Sequence, residues 1–153
     1  MFRLNRLVDY GVVLMSHIAA HPNQRFSAPD LASDLGLPAP VVSKVLKRLT
    51  HAGLLTSYRG ARGGYRLARG AAAISVADII SALDGPIALT DCIEDSHGSC
   101  GIESFCPVRS NWQIINRTVR SALSEIKLSD LTTPLPPFFG PALAKDEKGI
   151  GAA

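Results

Sequence analysis

Three cysteines lie close together in the second half of the chain, and their spacing could support metal chemistry. Cys92, Cys100 and Cys106 fall within fifteen residues and are separated by seven and five residues. Zinc sites usually contain a pair of ligands about two to four residues apart, and this segment has no such pair. Widely spaced thiolates on a glycine-containing loop can instead bind an iron–sulfur cluster. An odd number of cysteines does not suit a disulfide framework, so the pattern favours a cluster.

A cluster bound by three thiolates leaves one position for a fourth ligand. On spacing alone His97 leads, because an imidazole inside the cysteine segment could complete the set. The neighbouring carboxylates are alternatives: Glu94, Asp95 and Glu103. Cys106 is predicted to lie at the N-terminus of a long helix, where the helix dipole favours a thiolate. The alternative, three buried structural thiols, does not suit a segment this polar and acidic.

A second group of chemically informative residues is basic. Between residues 36 and 77 the chain has no Asp or Glu, and it has seven basic side chains: Lys44, Lys47, Arg48, Arg59, Arg62, Arg66 and Arg69. The overall net charge is only +3, so positive charge is concentrated in this segment. Although most charge runs merely solvate a surface, this concentration indicates an anionic partner.

The elements that must position these residues begin with a helix-turn-helix. Helical periodicity over residues 3–20 comes from apolar residues at Leu4, Leu7, Val8, Val12, Met15, Ile18 and Ala19. Ser27 followed by Asp30 is the pattern that begins a helix, and Gly36 ends it. Periodicity resumes over residues 39–52. The helix that begins at Ser27 and the helix over residues 39–52 are joined by the tight turn Gly36-Leu37-Pro38, and together they predict a helix-turn-helix.

A glycine-rich hairpin follows the second helix of the pair. Two strands are predicted, over residues 54–57 and 65–68, and residues 58–64 are predicted to form the turn between them. A hairpin directly after a recognition helix is the pattern of a wing. Side chains in the first half of a recognition helix reach base edges, and arginines at a wing tip can enter a minor groove. The predicted DNA contacts are Ser27, Ser43, Lys44, Lys47, Arg48, Arg59 and Arg62.

The C-terminal part of the chain predicts a dimer. Residues 75–83 are predicted to form another capped helix, and a last helix is predicted from near Pro107 to about Lys127. Apolar residues in this last helix recur alternately four and three positions apart, the spacing of a coiled-coil seam: Val108, Trp112, Ile115, Val119, Ala122 and Ile126. We therefore divide the chain into a winged helix-turn-helix DNA-binding domain (1–84), a cysteine loop (85–106), a dimerisation helix (107–131) and a flexible tail (132–153).

The whole pattern predicts a mainly α protein, a winged helix-turn-helix with a two-stranded wing and a long C-terminal dimerisation helix. At 153 residues the chain is too short for a large multi-domain enzyme. No stretch approaches the roughly 18 apolar residues of a membrane span, so we expect a cytoplasmic protein. The wing glycines lack the strand-to-helix context of a phosphate-binding loop, and no catalytic histidine arrangement is evident. We therefore expect no enzymatic activity.

Several motifs resemble a known family of regulators. They are Arg3-Leu4, Asp9-Tyr10, Leu35-Gly36-Leu37, residues 60–68 and the three cysteines. Together they resemble the iron–sulfur winged-helix transcription regulators of the IscR and NsrR type, over about residues 1 to 130. Within that group, Cys92-Ile93-Glu94 and the segment from Cys106 to Trp112 look closest to the regulators of the SUF iron–sulfur assembly operon.

The resemblance implies a homodimeric repressor or regulator that binds double-stranded operator DNA and senses iron, oxygen or nitric oxide through its cluster. In NsrR-like members the acid of the Asp9-Tyr10 motif, from the other subunit, completes the cluster. In IscR-like members a histidine three residues after the last cysteine does so, but here that residue is Arg109. The predicted ligands are therefore Cys92, Cys100, Cys106 and Asp9, with His97 second.

Three points stay open at the level of sequence. The cluster can be of the 2Fe-2S or the 4Fe-4S type, because the first cysteine interval is two residues longer than in IscR or NsrR. The chain could instead be a zinc-stabilised DNA-binding module. It could also be a metal-free thiol switch in which Cys100 and Cys106 form a disulfide on oxidation.

Overall fold

A computed structural model describes residues 4–90 and 106–132. Its elements, in chain order, are α1 (Arg6–Ala20), α2 (Ala28–Leu35), α3 (Ala39–His51), β1 (Leu55–Tyr58), β2 (Gly64–Leu67), a 3-10 turn (Ala71–Ala73), α4 (Val76–Asp84), α5 (Arg109–Glu125) and α6 (Leu128–Leu131). This order confirms the predicted mainly α winged helix with a two-stranded wing. Cys92, Cys100, His97 and the predicted tail beyond residue 132 lie outside the described residues.

The helices begin where local hydrogen bonding dictates. Ser27 caps α2 and Ser75 caps α4, and each forms a capping box with the acid three residues later, Asp30 and Asp78. Each box satisfies backbone N–H groups that the first helical turn leaves without a partner. Both caps were predicted. Asn5 also caps α1, because its side-chain oxygen accepts a 3.0 Å hydrogen bond from the amide of Leu7.

The core lies where α1, α3 and α4 meet. Leu14 of α1, Leu46 of α3 and Ile79 of α4 are fully buried there. Gly11 lets α1 approach α4 closely, since a Cβ at this position would overlap the side chain of Leu83. This packing holds one face of α3 against α1 and α4 and leaves the opposite face exposed to solvent.

The wing strands are shifted by one residue from the predicted ranges. β1 and β2 pair antiparallel, with Leu55 opposite Leu67 and Tyr58 opposite Gly64. β1 begins one residue late because Leu54 belongs to the C-terminal cap of α3: its amide donates to the carbonyl of Leu49 (2.9 Å), and Gly53 before it has a positive φ of 74°. This is a Schellman-type helix end, which takes Leu54 out of the strand.

The last long helix ends about two residues before the predicted position. α5 stops at Glu125, and Ile126 is extended. The carbonyl of Ile126 accepts from the amide of Val76 (3.0 Å), and the amide of Leu128 donates to the carbonyl of Ile74 (2.8 Å). Leu128 then enters the core and is fully buried. The helix predicted from near Pro107 to about Lys127 therefore ends at Glu125, about two residues early, because residues 126–128 pair with residues 74–76 and bury Leu128.

Candidate nucleic-acid interface

The recognition helix α3 has one buried apolar face and one exposed polar face. Four apolar side chains on one face are fully buried: Val42, Val45, Leu46 and Leu49. The other face exposes the residues predicted from the sequence: Ser43, Lys44, Lys47 and Arg48. Because residues three and four apart share a helix face, these polar side chains form one solvent-facing surface.

A groove of about 1020 Å³ runs between this surface and the wing. Lys44 and Lys47 line it from α3, and Arg59 lines it from the wing loop, residues 59–63 between β1 and β2. None of the described residues that line it is acidic. Positive charge around a concave surface attracts a polyanion, so the groove suits the phosphate backbone of nucleic acid.

The sequence prediction missed further residues that line the groove. His51 lies on α3, and Ser57 and Tyr65 lie on the wing strands. His51 could have been found, because it is four residues after Lys47 and therefore shares its helix face. Ser57 and Tyr65 could not, because their position depends on how the hairpin packs beside α3.

Arg48 combines exposure with a structural contact. Its Nη1 donates a 2.6 Å hydrogen bond to the carbonyl oxygen of Leu83, in the last turn of α4. A cation at a helix C-terminus also interacts favourably with the helix dipole. Arg48 therefore links α3 to α4, a role that the sequence prediction of a DNA contact did not include.

Ser27, another predicted DNA contact, is also engaged within the protein. Its hydroxyl donates to a carboxylate oxygen of Asp30 and accepts from the Asp30 amide at 3.2 Å. Asp30 itself is exposed. The observed role of Ser27 is thus to begin α2, and its contact with DNA stays a prediction.

Arg62 lies in the wing loop and is exposed. Its carbonyl oxygen accepts a 3.3 Å hydrogen bond from Arg25, which is itself exposed. The side chain of Arg62 is thus available to a partner, while its backbone is held by the protein.

Two of the predicted cluster ligands lie within the described residues. Cys106 is half-buried just before α5, and Asp9 is exposed on α1. Residues 4–90 and 106–132 contain no group of three or more His, Cys, Asp or Glu side chains arranged to hold a metal ion. Since Cys92, Cys100 and His97 lie outside these ranges, the ligand set stays a prediction.

In residues 4–90 and 106–132, no helix has the length and apolar character needed to cross a membrane.

Comparison with known proteins identifies relatives over most of the chain. The family model Rrf2, described as an iron-dependent transcriptional regulator, matches residues 4–134. Protein aau3 of Rhizobium meliloti (strain 1021) is 29% identical over 122 residues, which cover 80% of this chain and 75% of that protein.

Solved structures of regulators have the same fold. CymR of B. subtilis, described as its global cysteine regulator, is 30% identical with a TM-score of 0.68, over 86% of this chain and 97% of that one. IscR of T. potens is also 30% identical, with a TM-score of 0.65 and 85% of each chain covered. These matches confirm the predicted winged-helix type of transcription regulator, whereas its iron–sulfur cluster and its closeness to SUF regulators stay predictions. The chain belongs to the Rrf2 family of DNA-binding transcriptional regulators, which are not enzymes.

Proposed function

We propose that this chain is a homodimeric cytoplasmic regulator whose affinity for operator DNA depends on an iron–sulfur cluster in the cysteine loop. The observation that carries the proposal is a set of hydrogen bonds that joins the described start of that loop to the recognition helix. These bonds give a change in the loop a physical route to the DNA-binding surface.

The first part of this connection is Asn116 of α5, which is only 5% exposed. Its Nδ2 donates to the carbonyl of Ile87 (3.0 Å), and its side-chain oxygen accepts from the amide of Leu89 (3.1 Å). A buried amide with both ends paired fixes its partners firmly, because losing either bond would leave a buried polar group unsatisfied. Asn116 therefore holds the start of the cysteine loop against α5.

The second part is the bond from Arg48 to Leu83. Only a few residues separate Leu83 from Ile87, and Gly85 between them has a positive φ of 91°. One end of this short segment is held by the recognition helix and the other by α5. Movement of the cysteine loop would thus disturb the hydrogen bond between Leu83 and Arg48 of α3. This is the coupling between loop and recognition helix that the proposal requires.

The donors that the structure describes suit a cluster. Cys106 is half-buried, and its carbonyl accepts from the amide of Arg109 at 3.4 Å, so it adjoins the N-terminal end of α5. Asp9 is exposed on α1 and could serve a second subunit. When bound, the cluster would supply redox and oxygen sensitivity, with Cys92 and Cys100 as the remaining thiolate ligands.

The dimer is proposed from the exposed face of α5. Trp112 and Ile115 of α5 are 38% and 44% exposed, and Val108 and Ile126, which flank its two ends, are 44% and 43% exposed. Large apolar side chains in a row along one helix are usually covered by a partner. A second copy of α5 would cover them, as their coiled-coil spacing predicts.

The test is anaerobic purification followed by absorption spectroscopy with iron and sulfide analysis. We expect a brown protein that contains both, and a changed affinity for a DNA duplex enriched from a random pool by the wild-type protein once the cluster is removed. A colourless protein containing zinc would favour the zinc-stabilised module. The SUF operon is the first proposed target, because Cys92-Ile93-Glu94 and the segment from Cys106 to Trp112 resemble its regulators.

A metal-free thiol switch is the second candidate. It is favoured by one comparison: CymR of Staphylococcus aureus was also solved in an oxidized form, at 28% identity and a TM-score of 0.66, over 88% of this chain and 99% of that one. Mass spectrometry after mild oxidation of the cluster-free protein tests it. A bond between Cys100 and Cys106 that changes DNA affinity would support this candidate, and unchanged affinity would exclude it.

A further inference from the structure

One arginine outside the wing contacts both sides of the hairpin. The guanidinium carbon of Arg25 lies 3.9 Å from the centre of the Tyr58 ring. Its Nη1 donates to the carbonyl oxygen of Arg62 at 3.3 Å. Tyr58 is the last residue of β1, and Arg62 lies in the loop before β2. The side chain of Arg25 therefore joins one strand of the wing to its tip.

The backbone keeps Arg25 in this place. Phe26, the next residue, is buried and pairs with Tyr65 through two hydrogen bonds of 3.1 and 2.8 Å. Gly64 permits the close approach, because a Cβ there would lie 2.8 Å from the carbonyl oxygen of Phe26. Gly64 also has a φ of 134°, which other residues rarely adopt. Arg25 is thus fixed beside the wing by its neighbour.

We propose that Arg25 is a positioning residue for DNA recognition, which holds the wing loop in its binding conformation through the Tyr58 ring and the Arg62 carbonyl. This proposal rests on DNA binding through α3 and the wing. A glycine-rich loop would otherwise lose conformational freedom on binding. Ordering it in the free protein reduces that cost and presents Arg59 and Arg62 together.

The first test is a double-mutant cycle with Arg25→Gln and Tyr58→Leu. Affinity is measured by fluorescence anisotropy for the duplex enriched by the wild-type protein and for random duplex of equal length. We expect each single variant to weaken binding of the enriched duplex about threefold to tenfold, and the double variant to be no weaker than the poorer single one. Additive losses, or a neutral Tyr58→Leu, would overturn the proposal.

Two control variants separate positioning from charge. Tyr58→Phe keeps the aromatic ring and should bind the enriched duplex like the wild type. If it loses as much affinity as Tyr58→Leu, contact between the ring and Arg25 does not explain the loss. Arg69→Gln removes one exposed arginine outside the wing, where it pairs with Asp78 at 3.4 Å. It should not reproduce the loss of discrimination between enriched and random duplex. If Arg25→Gln changes only the salt dependence, as Arg69→Gln can, Arg25 is a phosphate contact and not a positioning residue.

A measurement without DNA distinguishes failure of this proposal from failure of DNA binding itself. The amide of Gly63 donates to the carbonyl of Gly60 at 2.9 Å within the wing loop. Its hydrogen exchange, followed by NMR, should accelerate in Arg25→Gln and stay unchanged in Arg69→Gln. Equal exchange in both variants would refute the ordering of the loop by Arg25, even if the wild-type protein binds DNA tightly.

Discussion

Arg48 and Leu83 are joined by a 2.6 Å hydrogen bond that connects the recognition helix to the end of α4. The bond carries a full charge on the donor and reaches a carbonyl near a helix C-terminus, where few partners remain. Arg48 is thereby distinguished from Lys47 beside it, which is exposed and lines the same groove. The two residues have the same charge and different expected roles.

The pair gives a matched prediction for stability. Arg48→Ala should lower the free energy of unfolding by about 1 kcal/mol, because the Leu83 carbonyl loses its charged donor. Lys47→Ala should change it by less than about 0.5 kcal/mol, as expected for an exposed side chain. Urea denaturation followed by circular dichroism measures both. Equal stability of the two variants would contradict the structural role of Arg48.

DNA binding should be strongly dependent on salt. Each phosphate that a basic side chain neutralises contributes about −0.9 to the slope of log affinity against log salt concentration. Lys47→Ala should weaken enriched and random duplexes alike, whereas Lys44→Ala and Arg62→Ala should also reduce the discrimination between them. Anisotropy titrations over a range of salt concentrations measure both effects. A nearly flat salt response in the wild-type protein would contradict binding through this surface.

Asn116 should contribute to stability out of proportion to its size. Asn116→Ala leaves the carbonyl of Ile87 and the amide of Leu89 without their partner, at a cost of about 1 to 3 kcal/mol. Asn23→Ala is the control, since Asn23 is exposed in the turn after α1 and should be nearly neutral. Denaturant midpoints compare them. If Asn116→Ala is as stable as the control, Asn116 does not hold the start of the cysteine loop in solution.

Local sequence signals predicted the starts of α2 and α4 correctly. Ser27 and Ser75 act through side chains three residues away, so the caps could be recognised without knowledge of the fold. The buried and exposed faces of α3 followed in the same way from helical periodicity. Residues whose partners lie nearby in sequence are the ones that the sequence identifies.

Contacts between distant segments were not predictable. The break at Ile126 depends on pairing with residues 74–76 and on a core that accepts Leu128. The apolar periodicity from Val108 to Ile126 contains no sign of either. The same holds for the pairing of Phe26 with Tyr65 and for the bond from Arg48 to Leu83. Each of these contacts exists only once the winged helix has folded.

The dimer predicted through α5 can be tested by charge. Ile115→Asp with Val119→Asp places two carboxylates in the apolar row, and sedimentation should show monomers, because burying unpaired charge is costly. Ser110→Asp with Ser121→Asp adds the same charges at exposed positions on another face of α5 and should leave the dimer intact. A wild-type protein that sediments as a monomer at micromolar concentration would refute the proposed dimer.

The cluster is expected to be labile because its surroundings repel it. From Asp84 to Glu103 the chain has five carboxylates and no Lys or Arg, so an anionic cluster would be placed among like charges. Net charge and solvent exposure tune such clusters, and like charge disfavours both an added electron and retention of the cluster. We expect the visible absorption of the anaerobic protein to be lost on exposure to oxygen. An absorption that persists unchanged in air would contradict this expectation.

Ligand variants test the proposed set of Cys92, Cys100, Cys106 and Asp9. Replacing any one of the cysteines by Ala should abolish the visible absorption, because three thiolates hold the cluster. Asp9→Ala should leave a perturbed or shorter-lived cluster, whereas His97→Ala should have little effect. Anaerobic spectra and decay times in air measure each variant. The choice of fourth ligand is wrong if His97→Ala loses the cluster while Asp9→Ala keeps the wild-type spectrum and lifetime. If all three cysteine variants still bind iron and sulfide normally, the chain does not sense through a cluster at these residues.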